Sequence, residues 1–155
     1  MTLDVGHKVP DFIVKDDQEN HFSSKNLLDQ WTVMYFYPKD NTPGCTQESC
    51  DFRDRLTALK KAGAQVVGIS KDSIDSHKKF KEKYYLPFPL LSDEDGKLCD
   101  LFDVVQEKRM FGRKYMGILR STYLIDPEGV VRKIWRKVKV RGHVEDVIVA
   151  LNELR

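Results

Sequence analysis

Residues 31–37 constrain the fold more than any other stretch: Trp31, Val33, Met34, Tyr35, Phe36 and Tyr37 surround a single Thr32, and no charge interrupts them. A strand that is apolar at odd and even positions alike has no face to offer water. It belongs inside a sheet covered by further layers on both sides. The residues that follow say what supplies one cover. Thr42 suits a helix N-cap, Pro43 the first helical position and Gly63 the exit, with Lys60 and Lys61 in the last turn.

The rest of the chain alternates in the same way. Residues 12–14 and 21–22 flank a polar turn and predict a short strand pair. Residues 65–70 form a second apolar strand, and Ser73 caps a helix reaching about Tyr85, stopped by Pro87. Leu90 and Leu91 give a brief strand and residues 95–102 a short helix. Residues 121–126 and 130–135 flank Pro127, Glu128 and Gly129, a hairpin turn. Val144, Val147, Ile148, Leu151 and Leu154 fall on one face of a final helix. The pattern predicts an α/β fold, one domain over 1–155, with a central mixed sheet and helices on both faces.

At 155 residues such a domain buries enough surface to need no staple. Unbroken apolar runs reach only five residues, far short of a membrane span. No apolar leader precedes the fold, so no signal peptide is expected and the reading is cytoplasmic. Twenty-six basic against 24 acidic side chains give +2, which demands no polyanionic partner. Three cysteines, Cys45, Cys50 and Cys99, are too few and too odd a set for a disulfide framework.

Cys45 is the informative one. It falls at the third position of the helix that leaves the buried strand, at the strand's C-terminal end, where open α/β sheets bind ligands. The first N–H groups of a helix are unpaired and its dipole end is positive, and both favour a thiolate. Cys45, Leu56, Phe52 and Leu59 share one helical stripe, which turns the thiol toward the sheet. Cys50 lies five residues on. In an intact α-helix two such Cα atoms stand roughly 8.7 Å apart, beyond the roughly 6.8 Å that a disulfide tolerates. A bond between them therefore requires the first turns to unwind.

Pro38-x-x-x-Thr42-x-x-Cys45 resembles the active-site signature of the peroxiredoxins. The wider stretch from Tyr35 through Cys50 is similar to the peroxiredoxin Q group, also called bacterioferritin comigratory protein. The likeness continues in residues 67–70, 91–93 and 120–126, and so covers nearly the whole chain. It implies a thioredoxin-like fold and a thiol-dependent peroxidase acting on hydrogen peroxide and alkyl hydroperoxides without metal, haem or flavin. By this resemblance Cys45 is the peroxidatic cysteine and Cys50 the resolving one. Thr42 and Arg120 are the polar partners of the peroxide, Pro38 shields the site, and Glu48 orients the arginine. Thioredoxin or a similar dithiol is the implied reductant.

Other features carry less. Cys99, beside Leu98, Leu101 and Phe102, reads as a buried inert thiol. His7, His21, His77 and His143 show no metal spacing; His77 shares a stripe with Ile74, Phe80 and Tyr84 and reads as packed. Six basic residues between Arg132 and Arg141 alternate with Val131, Ile134, Val138 and Val140, as in a guarded edge strand. A disulfide reductase would want Cys-x-x-Cys, which is absent. A nucleic-acid module would want a broader basic face than 132–141. The expected state is a monomer, with no nucleic acid and no membrane as partner.

Overall fold

A computed structural model describes residues 3–155. Its centre is a seven-stranded sheet in the order β2-β1-β5-β4-β3-β8-β9. The strands are β1 (Ile13–Asp16), β2 (His21–Ser23), β3 (Trp31–Phe36), β4 (Ala64–Ser70), β5 (Leu90–Ser92), β8 (Ser121–Ile125) and β9 (Val131–Arg136). β3, β4 and β5 run parallel, whereas β8 and β9 on one side and β1 and β2 on the other are antiparallel to their neighbours. The expected mixed sheet and its N-terminal strand pair are both present.

β3 lies inside the sheet, between β4 and β8, and is buried at all six positions. Its side chains alternate between two cores. Trp31, Val33 and Tyr35 point to one, formed with α1 (Pro43–Asp54), α2 (Leu56–Lys61), α3 (Ile74–Tyr84) and α5 (His143–Leu154). Met34 and Phe36 point to the other, under α4 (Lys97–Leu101) and the N-terminal segment. The period of two thus assigns each aromatic of the strand to one layer.

Two expectations are corrected, and a stretch with no predicted element gains one. The helix predicted across 43–62 is interrupted at Arg55 (φ −110°, ψ 11°), so that α1 and α2 are separate. Arg55 pairs with Glu145 of α5 at 2.7 Å, an anchor invisible to local propensity. The edge strand stops at Arg136 because Lys137 takes a left-handed backbone (φ 52°), leaving Val138 and Val140 outside the sheet. Residues 105–118, which carry no clear period, form a separate hairpin of β6 (Val105–Met110) and β7 (Arg113–Ile118). Phe111 and Gly112 make its two-residue turn, both with positive φ, which suits the twist of paired strands.

α4 has an unforeseen cap. The carboxylate of Asp93 accepts the N–H groups of Leu98 (2.9 Å) and Cys99 (2.8 Å). Among the described residues no helix is long and apolar enough to cross a membrane.

Candidate active site

β3 delivers the chain to the site, and β8 delivers its cation. Phe36, the last residue of β3, pairs with Ser121, the first of β8. The antiparallel register therefore sets the residue before β8, Arg120, beside the loop that follows β3. Arg120 Nη2 stands 3.3 Å from Cys45 Sγ, although the two are 75 positions apart. Nη1 of the same guanidinium donates to Glu48 Oε1 at 2.7 Å. One flat, permanently charged group thus bridges the thiol and a carboxylate one helical turn further along.

The close approach depends on Gly44, because a Cβ there would lie 3.1 Å from Arg120 Nη2. The sequence points to this glycine for its backbone N–H and not for the room it leaves. Tyr35 and Ser49 carry no sequence signal of their contact: their hydroxyls meet at 2.8 Å and fasten α1 to the sheet beneath Cys45. Gly68 leaves room for that tyrosine, since a Cβ would fall 2.8 Å from its hydroxyl oxygen.

Thr42 is the N-cap residue by backbone conformation (φ −95°, ψ 154°), as expected, but its hydroxyl does not cap the helix. It donates instead to the Lys39 carbonyl at 2.8 Å. Among the described residues nothing accepts from the N–H groups of Gly44 and Cys45; the first helical bond runs from Thr46 N–H to Thr42 O. Two backbone donors and the dipole of α1 consequently face the thiol with no internal partner.

Cys45 is buried, only 1% exposed, within the core that holds Tyr35, Tyr37 and Phe52. Pro38 lies between β3 and α1, in the loop on the same side. Lys108 of β6 adds a second cation near the site, its stem lying across Gly117. Burial and the Arg120 charge lower the Lys108 pKa, against a smaller opposing effect of Cys45. This contribution could not be read while the hairpin carrying it was unassigned.

Glu48 is fully buried, and its Oε2 has no hydrogen-bond partner. Burial raises its carboxyl to about 7, and the charge and hydrogen bond of Arg120 oppose the rise. A carboxyl raised from 4.5 in this way binds more protons folded than unfolded between those pH values. Its contribution to stability is therefore full at low pH and is lost as pH climbs through the folded value. Glu48→Gln, which stays neutral, should gain stability relative to the parent as pH rises from 4.5 to 7, by up to about 3 kcal/mol. Urea unfolding of both proteins across that range measures the difference; a gap that does not change with pH contradicts the buried carboxyl described here.

Cys50, half-buried on the outer side of α1, has its thiol pushed up by burial and by Asp54 and Asp51, against Arg53. All three cysteines are free and α1 is continuous from Pro43 to Asp54, so Cys45 and Cys50 are held apart. Cys99 is fully buried, and burial with the neighbouring Asp93 pushes its thiol far above the ordinary range. That agrees with an inert thiol. The basic run is engaged structurally: Arg136 donates to the Asp103 carbonyl and the Tyr123 hydroxyl, and Arg132 lies over Trp31.

Residues 5–134 match the AhpC/TSA family. Peroxiredoxin Bcp of Bacillus subtilis is 47% identical over 154 residues, covering 99% of this chain and 98% of its own. Peroxiredoxin Q of Xanthomonas campestris superposes with a TM-score of 0.91 at 44% identity, covering 98% of this chain and 96% of its own. A trapped intermediate/ligand complex of the bacterioferritin comigratory protein from Xanthomonas campestris, concerned with its alkyl peroxide reduction activity, superposes with a TM-score of 0.90 at 44% identity. It covers 97% of this chain and 96% of its own.

Proposed function

The chain belongs to the AhpC/TSA family as a thiol-dependent peroxidase of the peroxiredoxin Q/Bcp type, and from that premise we propose that Cys45 is its peroxidatic cysteine and Cys50 its resolving cysteine. The observation that carries the assignment is the Arg120 guanidinium, 3.3 Å from the Cys45 sulfur and fixed by Glu48. Hydrogen peroxide and alkyl hydroperoxides are the substrates.

In the first step the Cys45 thiolate attacks the terminal oxygen of R–O–O–H. An S–O bond forms, the O–O bond breaks, and the leaving alkoxide or hydroxide takes a proton from solvent. Sulfur is oxidised to a sulfenic acid and the peroxide is reduced to an alcohol or water. Populating the thiolate accounts for only a modest share of the rate, because a thiolate of lower pKa is also a weaker nucleophile. The larger share comes from donors aimed at the oxygen on which charge develops. Arg120 and the Gly44 and Cys45 N–H groups supply them. Thr42, whose hydroxyl proton is held by Lys39 O, offers its oxygen as acceptor for the peroxide O–H. Pro38 keeps water from the thiol, and Glu48 keeps Arg120 in line.

In the second step the N-terminal turns of α1 unwind, and Cys50 attacks the sulfenic sulfur. The products are a Cys45–Cys50 disulfide and one water. A thioredoxin-type dithiol then takes up the disulfide and is itself oxidised. Such a partner fits the cytoplasm, where the protein is proposed to act as a monomer. The test is peroxide-dependent oxidation of NADPH through thioredoxin reductase and thioredoxin. Turnover that persists in Cys45→Ser overturns the assignment.

A further inference from the structure

Asp40 lies between Pro38 and Thr42, and it is buried. Its Oδ1 accepts from the Tyr37 hydroxyl (2.6 Å) and its Oδ2 from Ser76 Oγ (2.8 Å). The same Oδ2 is 2.7 Å from Nδ1 of His77, a fully buried side chain of α3. The other ring nitrogen, Nε2, is 2.9 Å from the carbonyl oxygen of Leu91. Both nitrogens face acceptors, so both carry hydrogen and the ring is an imidazolium paired with the Asp40 carboxylate. Burial opposes this charge, but the hydrogen bond and charge of Asp40 outweigh it and hold the His77 pKa above its ordinary value.

Asp40, Asp72 and His77 have ligand atoms within 4.8 Å of one another, a spacing that would also suit a metal. The hydrogen bonds argue otherwise, since neither ring nitrogen has a lone pair to give. Asp72 instead accepts the backbone N–H of Asp40 (2.8 Å) and the hydroxyl of Ser70 (2.6 Å). The cluster is a fastening.

What it fastens is the approach to the active-site helix. The next residue, Asn41, is held in a left-handed backbone (φ 60°), and its Oδ1 accepts from Tyr84 (3.1 Å) and Lys83 (3.3 Å) of α3. At the far end of α1, Arg53 Nη1 donates to the Tyr84 carbonyl at 2.6 Å. α3 therefore grips the chain just before Thr42 and again beyond Cys50. Between the two grips lie the turns that must open for Cys50 to reach Cys45.

We propose that His77 is a positioning residue of the peroxidase site, acting through Asp40 to hold the 38–42 loop so that Thr42 and the free N–H groups of α1 meet the peroxide in register. The inference rests on the assignment of Cys45 above. It separates the two chemical steps: the fastening serves oxidation of Cys45, whereas closure of the disulfide needs only the segment between the grips to unwind. Releasing His77 slows the first step and leaves the second unhindered.

Quenched-flow mass spectrometry reads both steps, as loss of the Cys45 thiol after mixing with hydrogen peroxide and then as formation of the disulfide. His77→Asn keeps an N–H donor where Nδ1 stood, toward Asp40; His77→Gln keeps one where Nε2 stood, toward Leu91. His77→Gln should oxidise at least about tenfold more slowly, since small misplacements of a reacting group cost that much or more. His77→Asn should stay within about threefold of the parent, and the closure rate should be unchanged in both. Equal losses in the two variants, or oxidation by His77→Gln at the parent rate, overturn the proposal. If His77→Gln does not fold, the half-buried Ser76→Ala removes a donor to the same oxygen and should slow oxidation in the same direction, by at least about twofold; an unchanged rate overturns the proposal. A parent protein that leaves Cys45 reduced under peroxide would instead overturn the assignment of Cys45 on which the inference rests.

Discussion

Cys45→Ser is expected to bring peroxide turnover down to the rate seen without enzyme, while the fold is retained. The reason is chemical before it is geometric. Sulfur can accept an oxygen atom and be oxidised to a sulfenic acid, whereas a serine oxygen attacking a peroxide would only form another O–O bond. Replacing the 1%-exposed thiol by a hydroxyl of similar size leaves the packing of Tyr35 and Phe52 in place. Far-ultraviolet circular dichroism should therefore match the parent, and NADPH-coupled peroxide consumption should be absent.

Arg120→Lys should reduce the second-order rate with peroxide by about 10²- to 10³-fold, the usual effect of removing one well-placed donor to a developing negative charge. The charge is conserved, but the geometry is not. Arg120 reaches Cys45 with Nη2 and Glu48 with Nη1 at the same time, through one rigid plane. An ammonium is a point donor on a flexible stem, and it can serve either partner but not both in fixed register. Once formed, the sulfenic acid should still be resolved by Cys50 at close to the parent rate, because that step depends on unwinding α1. Stopped-flow measurement over a range of peroxide concentrations separates the two. A lysine variant within a fewfold of the parent would remove Arg120 from the reacting geometry.

Much of this arrangement was legible in residue order because it is local. The Thr42-Pro43-Gly44-Cys45 run says where a helix starts and which residue sits in its first turn, and the apolar 31–37 strand says that the helix leaves a covered sheet. The intact-helix distance between Cys45 and Cys50 follows from helical geometry alone. What stayed hidden is whatever depends on strand register or on a partner far along the chain. The tight fit at Gly44 is made by Arg120, which the pairing of Phe36 with Ser121 brings across. Arg55, where the helix breaks, pairs with Glu145 ninety positions later, and local propensity gives no sign of that contact. The hairpin of β6 and β7 escaped because its exposed faces show no hydrophobic alternation, and Lys108 escaped with it. The stripe on α3 marks His77 as packed, yet nothing in its sequence neighbours shows that Asp40 is its partner.

The central claim is that one peroxide oxidises Cys45 and that Cys50, reached by unwinding α1, resolves it. Treating the reduced protein with one equivalent of hydrogen peroxide, blocking free thiols and mapping the peptides by mass spectrometry tests this directly. The account predicts a single linkage, Cys45 to Cys50, with Cys99 recovered unoxidised, as a blocked thiol, because it is buried on the inner face of α4. A Cys45–Cys99 linkage, or a disulfide that leaves Cys45 free, would contradict it.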